Sequence, residues 1–248
     1  MNTDLNIQAL EILSQWDRTL YIDLTEPIRR GIGKVFFART DGVLVYVNGA
    51  WMVAAQSAEA AHEIMQIINS ESRDGDDVCV HGKECRQLFE NFETISWYSY
   101  PCYVGAYLTD TVFDVPSELE IRRLDKNHAG LVSRTYTEIR NSENALETAQ
   151  KMLEGMVFGG FLDNQCVGYI GVHSEGAMGM LEVLPEYRNR GFGTALEMFL
   201  INRLVSMGMV PFCHVWDNNA VSLKIQRMLG LKISDDLVYW GKLLTNRK

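Results

Sequence analysis

An α+β fold, a mixed α/β sheet flanked by helices, is what this sequence predicts, and three observations lead to it. Segments with two-residue alternation and segments with helical periodicity follow one another along the whole chain. The turn pairs Asp41-Gly42 and Asn48-Gly49 join strand-like runs directly, so part of the sheet is antiparallel. Other strand-like runs are separated by helical ones, which is the spacing of crossover connections and puts helices on both faces of the sheet.

Leu5 to Leu20 reads as the first helix, with Leu5, Ile7, Leu10, Ile12, Leu13 and Trp16 in a helical apolar pattern. The two turn pairs then divide "KVFFART", "VLVYV" and "AWMVAAQ" into an antiparallel meander. "SAEAAHEIMQIIN" is a helix capped by Ser57, with Ile64, Ile67 and Ile68 as its apolar residues. "DVCVHG" reads as a strand, "KECRQLFENF" as a helix, and "ISWYSYPCYVGAYL" as one or two strands broken at Pro101. Pro116 and Ser117 form a short polar link, which places an N-terminal α/β domain over residues 1–116 and a second domain over 117–248. In the second, "LEIRRLD" is a strand, "HAGLVSRTY" and "NALETAQKML" are helices, and "MVFGGFLD", "CVGYIGVH" and "MGMLEVLP" are strands. A helix from about Thr194 to Met207 ends at Gly208. "VPFCHVW" is a strand, "NAVSLKIQRMLG" a helix from Asn219 to Gly230, and "LVYWGKLL" the last strand.

With 248 residues, 47% of them hydrophobic, the chain has ample material for a buried core. No apolar run approaches the roughly 20 residues of a membrane-spanning helix. The start, "MNTDLNIQALEIL", lacks the basic region of a secretory signal. Cys79, Cys85, Cys102, Cys166 and Cys213 are therefore expected as reduced thiols in a cytoplasmic protein. A formal net charge of −9 argues against nucleic acid as a partner, because phosphate backbones require a basic surface. Any anionic ligand has to be met by a local arrangement.

The stretch "LPEYRNRGFGTALEMFL", Leu184 to Leu200, supplies one. Pro185 ends a strand, and Gly193 begins a helical pattern. Glycines lack a Cβ, so backbone N–H groups can converge on a ligand that approaches closely. A helix starting there adds unpaired N–H groups and roughly half a positive charge, and the two together suit a pyrophosphate. Arg188 and Arg190 add full charges with forked donors. A similar stretch, "PIRRGIGKVFF", is followed by β-rich residues rather than a helix, so Gly31 and Gly33 read as turn residues only.

These residues carry a family resemblance. "LEVLPEYRNRGFGTAL" resembles motif A of the GNAT superfamily of acyl-CoA-dependent N-acyltransferases, with Arg188, Gly191 and Gly193 at the Arg/Gln-x-x-Gly-x-Gly/Ala positions. The order hairpin, strand, loop, long helix, strand and Asn-x-x-Ser helix ending in Leu229-Gly230-Leu231 is similar to the family over roughly Leu119 to Leu244. The two-domain layout resembles the glycine N-acyltransferase-like branch, the N-terminal domain being a smaller, diverged half-copy. The resemblance implies a GNAT-like splayed sheet, with the reaction site between "MLEVL" and "FCHVW". It implies acetyl-CoA as acyl donor and the primary amine of a small molecule or peptide as acceptor, attacked directly in a ternary complex. Val183 and Leu184 would contact pantetheine and the acyl carbonyl, and Arg188, Asn189, Arg190, Gly191, Phe192, Gly193 and Thr194 would hold the pyrophosphate. Asn219 and Ser222 would line the CoA side of the following helix.

Amine attack on a thioester needs a neutral amine, and an exposed alkylammonium has a pKa of about 10, so a base must take the proton. Strand alternation puts Met180, Glu182 and Leu184 on one side, and Glu182 is the first candidate. The plainer reading is a sheet-face charge paired with a basic residue such as Arg203. Glu175, in the preceding turn, is the second candidate, and His173 and His214 read as hydrogen-bonded structural residues. The family's thiolate-protonating Tyr is replaced by Gln226, so Tyr239 or Tyr169 would have to substitute, or the thiol leaves unaided. That departure supports the alternative of a non-catalytic acyl-CoA-binding or regulatory domain.

No metal is expected: Cys79, His81 and Cys85 suggest zinc, but no fourth ligand lies at finger-like spacing. The aromatics Trp97, Tyr98, Tyr100 and Tyr103 read as strand packing, with an acceptor pocket or a dimer interface as the other reading. No membrane association is expected, and a homodimer is the candidate assembly.

Overall fold

Two helices, rather than one, open the chain: α1 (Thr3–Leu13) and α2 (Ile22–Arg29). The single helix expected over Leu5–Leu20 is broken at Asp17, whose Oδ1 accepts the amides of Thr19 at 2.8 Å and Leu20 at 2.7 Å. That side-chain turn satisfies donors the helix would have used. The meander follows as β1 (Lys34–Arg39), β2 (Gly42–Val47) and β3 (Ala50–Ala55), all antiparallel. Asn48 at φ 47° and Gly49 at φ 97° make the second turn, with Val47 pairing directly with Ala50. The first turn lies at Thr40–Asp41, because Gly42 already pairs with Arg39.

The next elements are α3 (Ala58–Glu71), β4 (Asp77–His81), α4 (Lys83–Leu88), β5 (Ile95–Trp97) and β6 (Cys102–Ala106). Ser57 Oγ accepts the Ala60 amide at 3.0 Å and caps α3, as its sequence position suggests. After these come β7 (Glu120–Arg123), α5 (Ala129–Thr135), α6 (Ala145–Met152), β8 (Val157–Leu162), β9 (Gln165–Val172), β10 (Met178–Val183) and α7 (Phe192–Ser206). The last are β11 (Phe212–Trp216), α8 (Ala220–Met228) and β12 (Lys232–Leu243). The computed structural model describes residues 3–116 and 118–244.

The chain divides into two compact units along a different line from a cut at 116/117. One unit is Met1–Tyr107 with Phe212–Lys248, and the other is Leu108–Pro211. Strand pairing is the reason for the discontinuous unit. β12 pairs antiparallel with both β4 and β6, and β11 pairs antiparallel with β6, giving the order β1-β2-β3-β4-β12-β6-β11. β3 and β4 are parallel, joined by the α3 crossover. The core of this unit packs Trp51, Val53, Ile64, Met65, Ile68 and Phe89.

The other unit contains the antiparallel order β10-β9-β8-β7. Asp163 and Asn164, at φ 49° and 64°, form the tight turn between β8 and β9. One hydrophobic cluster packs α5 and α6 on the sheet through Val132, Tyr136, Ala149, Tyr169 and Met180. A second packs the start of α7 through Phe192 and Ala195 on Val167, Val183 and Leu119.

Candidate active site

β10 is bent where the site begins. Between Gly179 and Glu182 its register against β9 shifts, so Met180 and Leu181 stand opposite one residue of the partner strand. Met180 takes φ 54°, a left-handed conformation that non-glycine side chains seldom adopt. Bulges of this kind re-aim the side chains beyond them and concentrate beside functional sites. In the bulge Met180 packs with Tyr136 and Tyr169, and past it Val183 packs with Phe192 and Ala195 of α7.

Glu182 lies near the α5 end of this arrangement, with its side chain 13% exposed. Its Oε1 accepts the Thr137 amide at 2.9 Å and the Thr137 hydroxyl at 2.6 Å. The other oxygen, Oε2, stands 4.0 Å from the Arg188 guanidinium. Arg188, not Arg203, is thus the basic neighbour of Glu182, and its Nε also donates to the Val183 carbonyl at 2.9 Å. Both nearby phenols are engaged: Tyr136 donates to Glu138 Oε2 at 2.8 Å, and Tyr169 shares a hydrogen bond with Thr135 Oγ1 at 2.9 Å. Burial first, then the charges of Glu138 and Glu182, pushes the Tyr136 phenol well above the ordinary tyrosine range. Tyr169 is raised in the same way, chiefly by burial.

At Leu184 the chain leaves β10, its amide still donating to Val167 O at 2.9 Å. It passes through a 3-10 turn at Pro185–Tyr187, then Asn189 at φ 60°, and reaches α7 through Gly191 at φ 81°. α7 starts at Phe192, two residues before the expected Thr194, because buried Phe192 anchors its first turn in the core. Gly191 supplies no capping side chain. The first amide to close is that of Ala195, on Gly191 O at 3.0 Å, which leaves the amides of Phe192, Gly193 and Thr194 at the open end of the helix. The Arg190 guanidinium stacks over Phe192 at 4.7 Å and over Tyr187 at 5.9 Å, so a full positive charge stands beside those amides.

The two glycines serve different ends. A Cβ on Gly191 would meet nothing within 4 Å, so its φ of 81° is what requires glycine. A Cβ on Gly193 would touch Val183 at 3.5 Å and Leu181 at 3.8 Å, which places the helix start directly over β10.

The structure therefore brings together Glu182, Val183, Leu184, Arg188, Asn189, Arg190, Gly191, Phe192, Gly193 and Thr194 within one unit. Glu175 stands apart, in the turn closed by Gly176 N–H on His173 O at 2.9 Å, at the opposite end of β10 from this loop. His173 packs its ring against Gly179, where an added Cβ would overlap Nε2. Asn219 and Ser222 belong to the other unit, where Asn219 Oδ1 accepts the Ser222 amide at 3.0 Å and caps α8. Gln226 is buried in the same helix, Tyr239 on β12 lies opposite Val80, and His214 Nε2 donates to Asp23 Oδ2 at 2.8 Å. Thr137, Glu138 and Asp23 were not singled out by the sequence. All three lie in irregular or short-helix segments with no spacing motif, so only folding reveals their neighbours.

Residues 127–230 match the sequence profile of the Acetyltransferase (GNAT) family. No curated protein matches the chain in sequence. Among solved structures, a Drosophila protein is 18% identical with a TM-score of 0.61, covering 98% of this chain and 91% of that one. A GNAT-family acetyltransferase structure from Novosphingobium aromaticivorans is 17% identical with a TM-score of 0.54, covering 92% of this chain and 96% of the other. One from Colwellia psychrerythraea is 12% identical with a TM-score of 0.52, covering 94% and 97%. At these identities the likeness is one of fold.

Proposed function

We propose, from a chain whose residues 127–230 form a GNAT-family acetyltransferase domain, that this protein transfers an acetyl group from acetyl-CoA to a primary amine. The family supports acyl transfer. The observation that supports a CoA donor in this chain is the open amide end of α7, flanked by Arg188 and Arg190, at the end of bulged β10. The pyrophosphate would sit on the amides of Gly191 to Thr194, and pantetheine would run along Val183 and Leu184.

In the reaction, the amine nitrogen attacks the thioester carbonyl carbon, a C–N bond forms, the C–S bond breaks, and the amine proton passes to a base. Glu182 is the residue proposed for that base, with Thr137 fixing Oε1 and leaving Oε2 to receive the proton directly or through water. Glu175 stands second, and its place at the far end of β10 weighs against it. Glu138 and Glu182 make an acidic pair around Tyr136, which suits an acceptor that arrives as an alkylammonium on a small molecule or peptide. A cytoplasmic location is part of this proposal, and among the described residues no helix is long and apolar enough to cross a membrane.

Buried Gln226 favours a second reading, a non-catalytic acyl-CoA-binding domain, because no phenol stands at that position. Titration calorimetry with acetyl-CoA, followed by thiol release across an amine panel, separates the two. Binding with release supports the enzyme, binding without release supports the second reading, and no binding at millimolar acetyl-CoA refutes both.

A further inference from the structure

The sequence offered Cys79, His81 and Cys85 as a metal set without a fourth ligand. The fold turns Cys85 away, where its Sγ accepts the Ala55 amide at 3.2 Å and burial pushes its thiol up to about 12. In its place α2 brings Asp23, from far along the chain, onto the face of β4 that carries both Cys79 and His81. All three side chains are fully buried, at 0% exposure.

We infer that Asp23, Cys79 and His81 form a buried site for a zinc-class transition-metal ion, binding through the carboxylate, Sγ and Nε2. The ligand atoms lie within 4.8 Å of one another. His81 Nε2 is 2.8 Å from each oxygen of Asp23 and 4.0 Å from Cys79 Sγ. Zinc bonds of about 2.0–2.3 Å put neighbouring ligand atoms roughly 3–4 Å apart, so an ion needs the nitrogen–oxygen edge to open by about half an ångström and any edge near the 4.8 Å limit to close toward about 4 Å.

The surroundings of the ligands point the same way. His81 Nδ1 lies 2.8 Å from Val53 O, an atom that can only accept, so the proton is on Nδ1 and Nε2 faces inward. The carbonyl–imidazole contact is the support that metal-bound histidines ordinarily have. His214 supports Asp23 from outside, its Nε2 2.8 Å from Oδ2. The set of one nitrogen, one sulfur and one carboxylate suits zinc or cobalt rather than magnesium or calcium, which prefer all-oxygen sites. Complete burial means that the ion would enter as the unit folds and would tie α2 to β4.

The test uses the full chain. Elemental analysis after expression in zinc-supplemented medium should give about one zinc per chain. Refolding from denaturant with Co(II) should produce a thiolate-to-cobalt absorption band in the near ultraviolet. Cys79→Ser should abolish that band, Cys166→Ser should keep it, and His214→Gln should weaken cobalt binding about 10- to 100-fold. Wild-type protein that refolds with no band and holds below roughly a tenth of an equivalent of zinc overturns the site, leaving a hydrogen-bonded cluster of Asp23 and His81. A band that survives in Cys79→Ser also overturns it. The wild-type measurements decide even where Cys79→Ser does not fold.

Discussion

Thr137 gives both of its hydrogen bonds to one oxygen of Glu182, and that asymmetry is what makes the carboxylate a usable base. One oxygen is held in place, and the other is left with only a 4.0 Å ionic neighbour. Glu182→Gln keeps the shape and the Thr137 bonds but cannot take a proton. It should lower kcat about 10²- to 10⁴-fold near neutral pH while leaving the dissociation constant for acetyl-CoA almost unchanged. Steady-state thiol release with parallel calorimetry checks this, and wild-type turnover would remove Glu182 from the base role. A second carboxylate gives a pH prediction. Hydrogen bonds from Arg39 and then Ser57 hold Asp41 down at about 2. Its folded value lies below the unfolded value of about 3.9, so its contribution is complete above about pH 4 and is lost as the pH falls toward 2. Asp41→Asn should therefore lower the melting temperature at pH 7 and flatten its fall between about pH 4 and pH 2.

At the scale of elements, the loop into α7 was the most legible part of the chain. Arg188, Gly191 and Gly193 are informative because the backbone conformation restricts which residues fit, and the structure shows how: a left-handed φ at Gly191 and close packing of Gly193 on Val183. The open space around Gly191 means that a larger residue there acts through backbone strain rather than by blocking the loop. Gly191→Ala should destabilise the protein by about 1 kcal/mol and weaken acetyl-CoA binding, measured by urea denaturation and calorimetry. Unchanged affinity would place the pyrophosphate elsewhere. The bulge at Met180 was not legible, because an inserted residue leaves the alternation of "MGMLEV" looking intact. The break after α1 was hidden for a related reason: apolar spacing runs on past Leu13, while the chain turns through Gln15 and Trp16 and Asp17 takes the amides of Thr19 and Leu20.

For the whole molecule, the least legible fact was the membership of β11 and β12. Local patterns identify both as strands, but partners far along the chain have no local signature, so the Pro116–Ser117 link drew attention as a boundary. The compact units instead share out residues by strand pairing. Truncation after Pro211 should leave β4 and β6 without the strand between them, and the discontinuous unit should lose its cooperative thermal transition. Residues 108–211 alone keep β7–β10 and α7 and are expected to retain helical and strand signals by circular dichroism. A cooperative transition of normal size in the truncated chain would show that β12 is dispensable.

The position of β12 also sets a timetable. The ribosome delivers β4 and β6 long before the strand that lies between them, and at roughly 5–20 residues per second the intervening chain takes many seconds to appear. During that interval the paired edges of β4 and β6 stand open to solvent and to other nascent chains. Synthesis in cells should therefore depend on chaperones that shield strand edges until Leu243 has left the exit tunnel, even where refolding of the finished chain is fast.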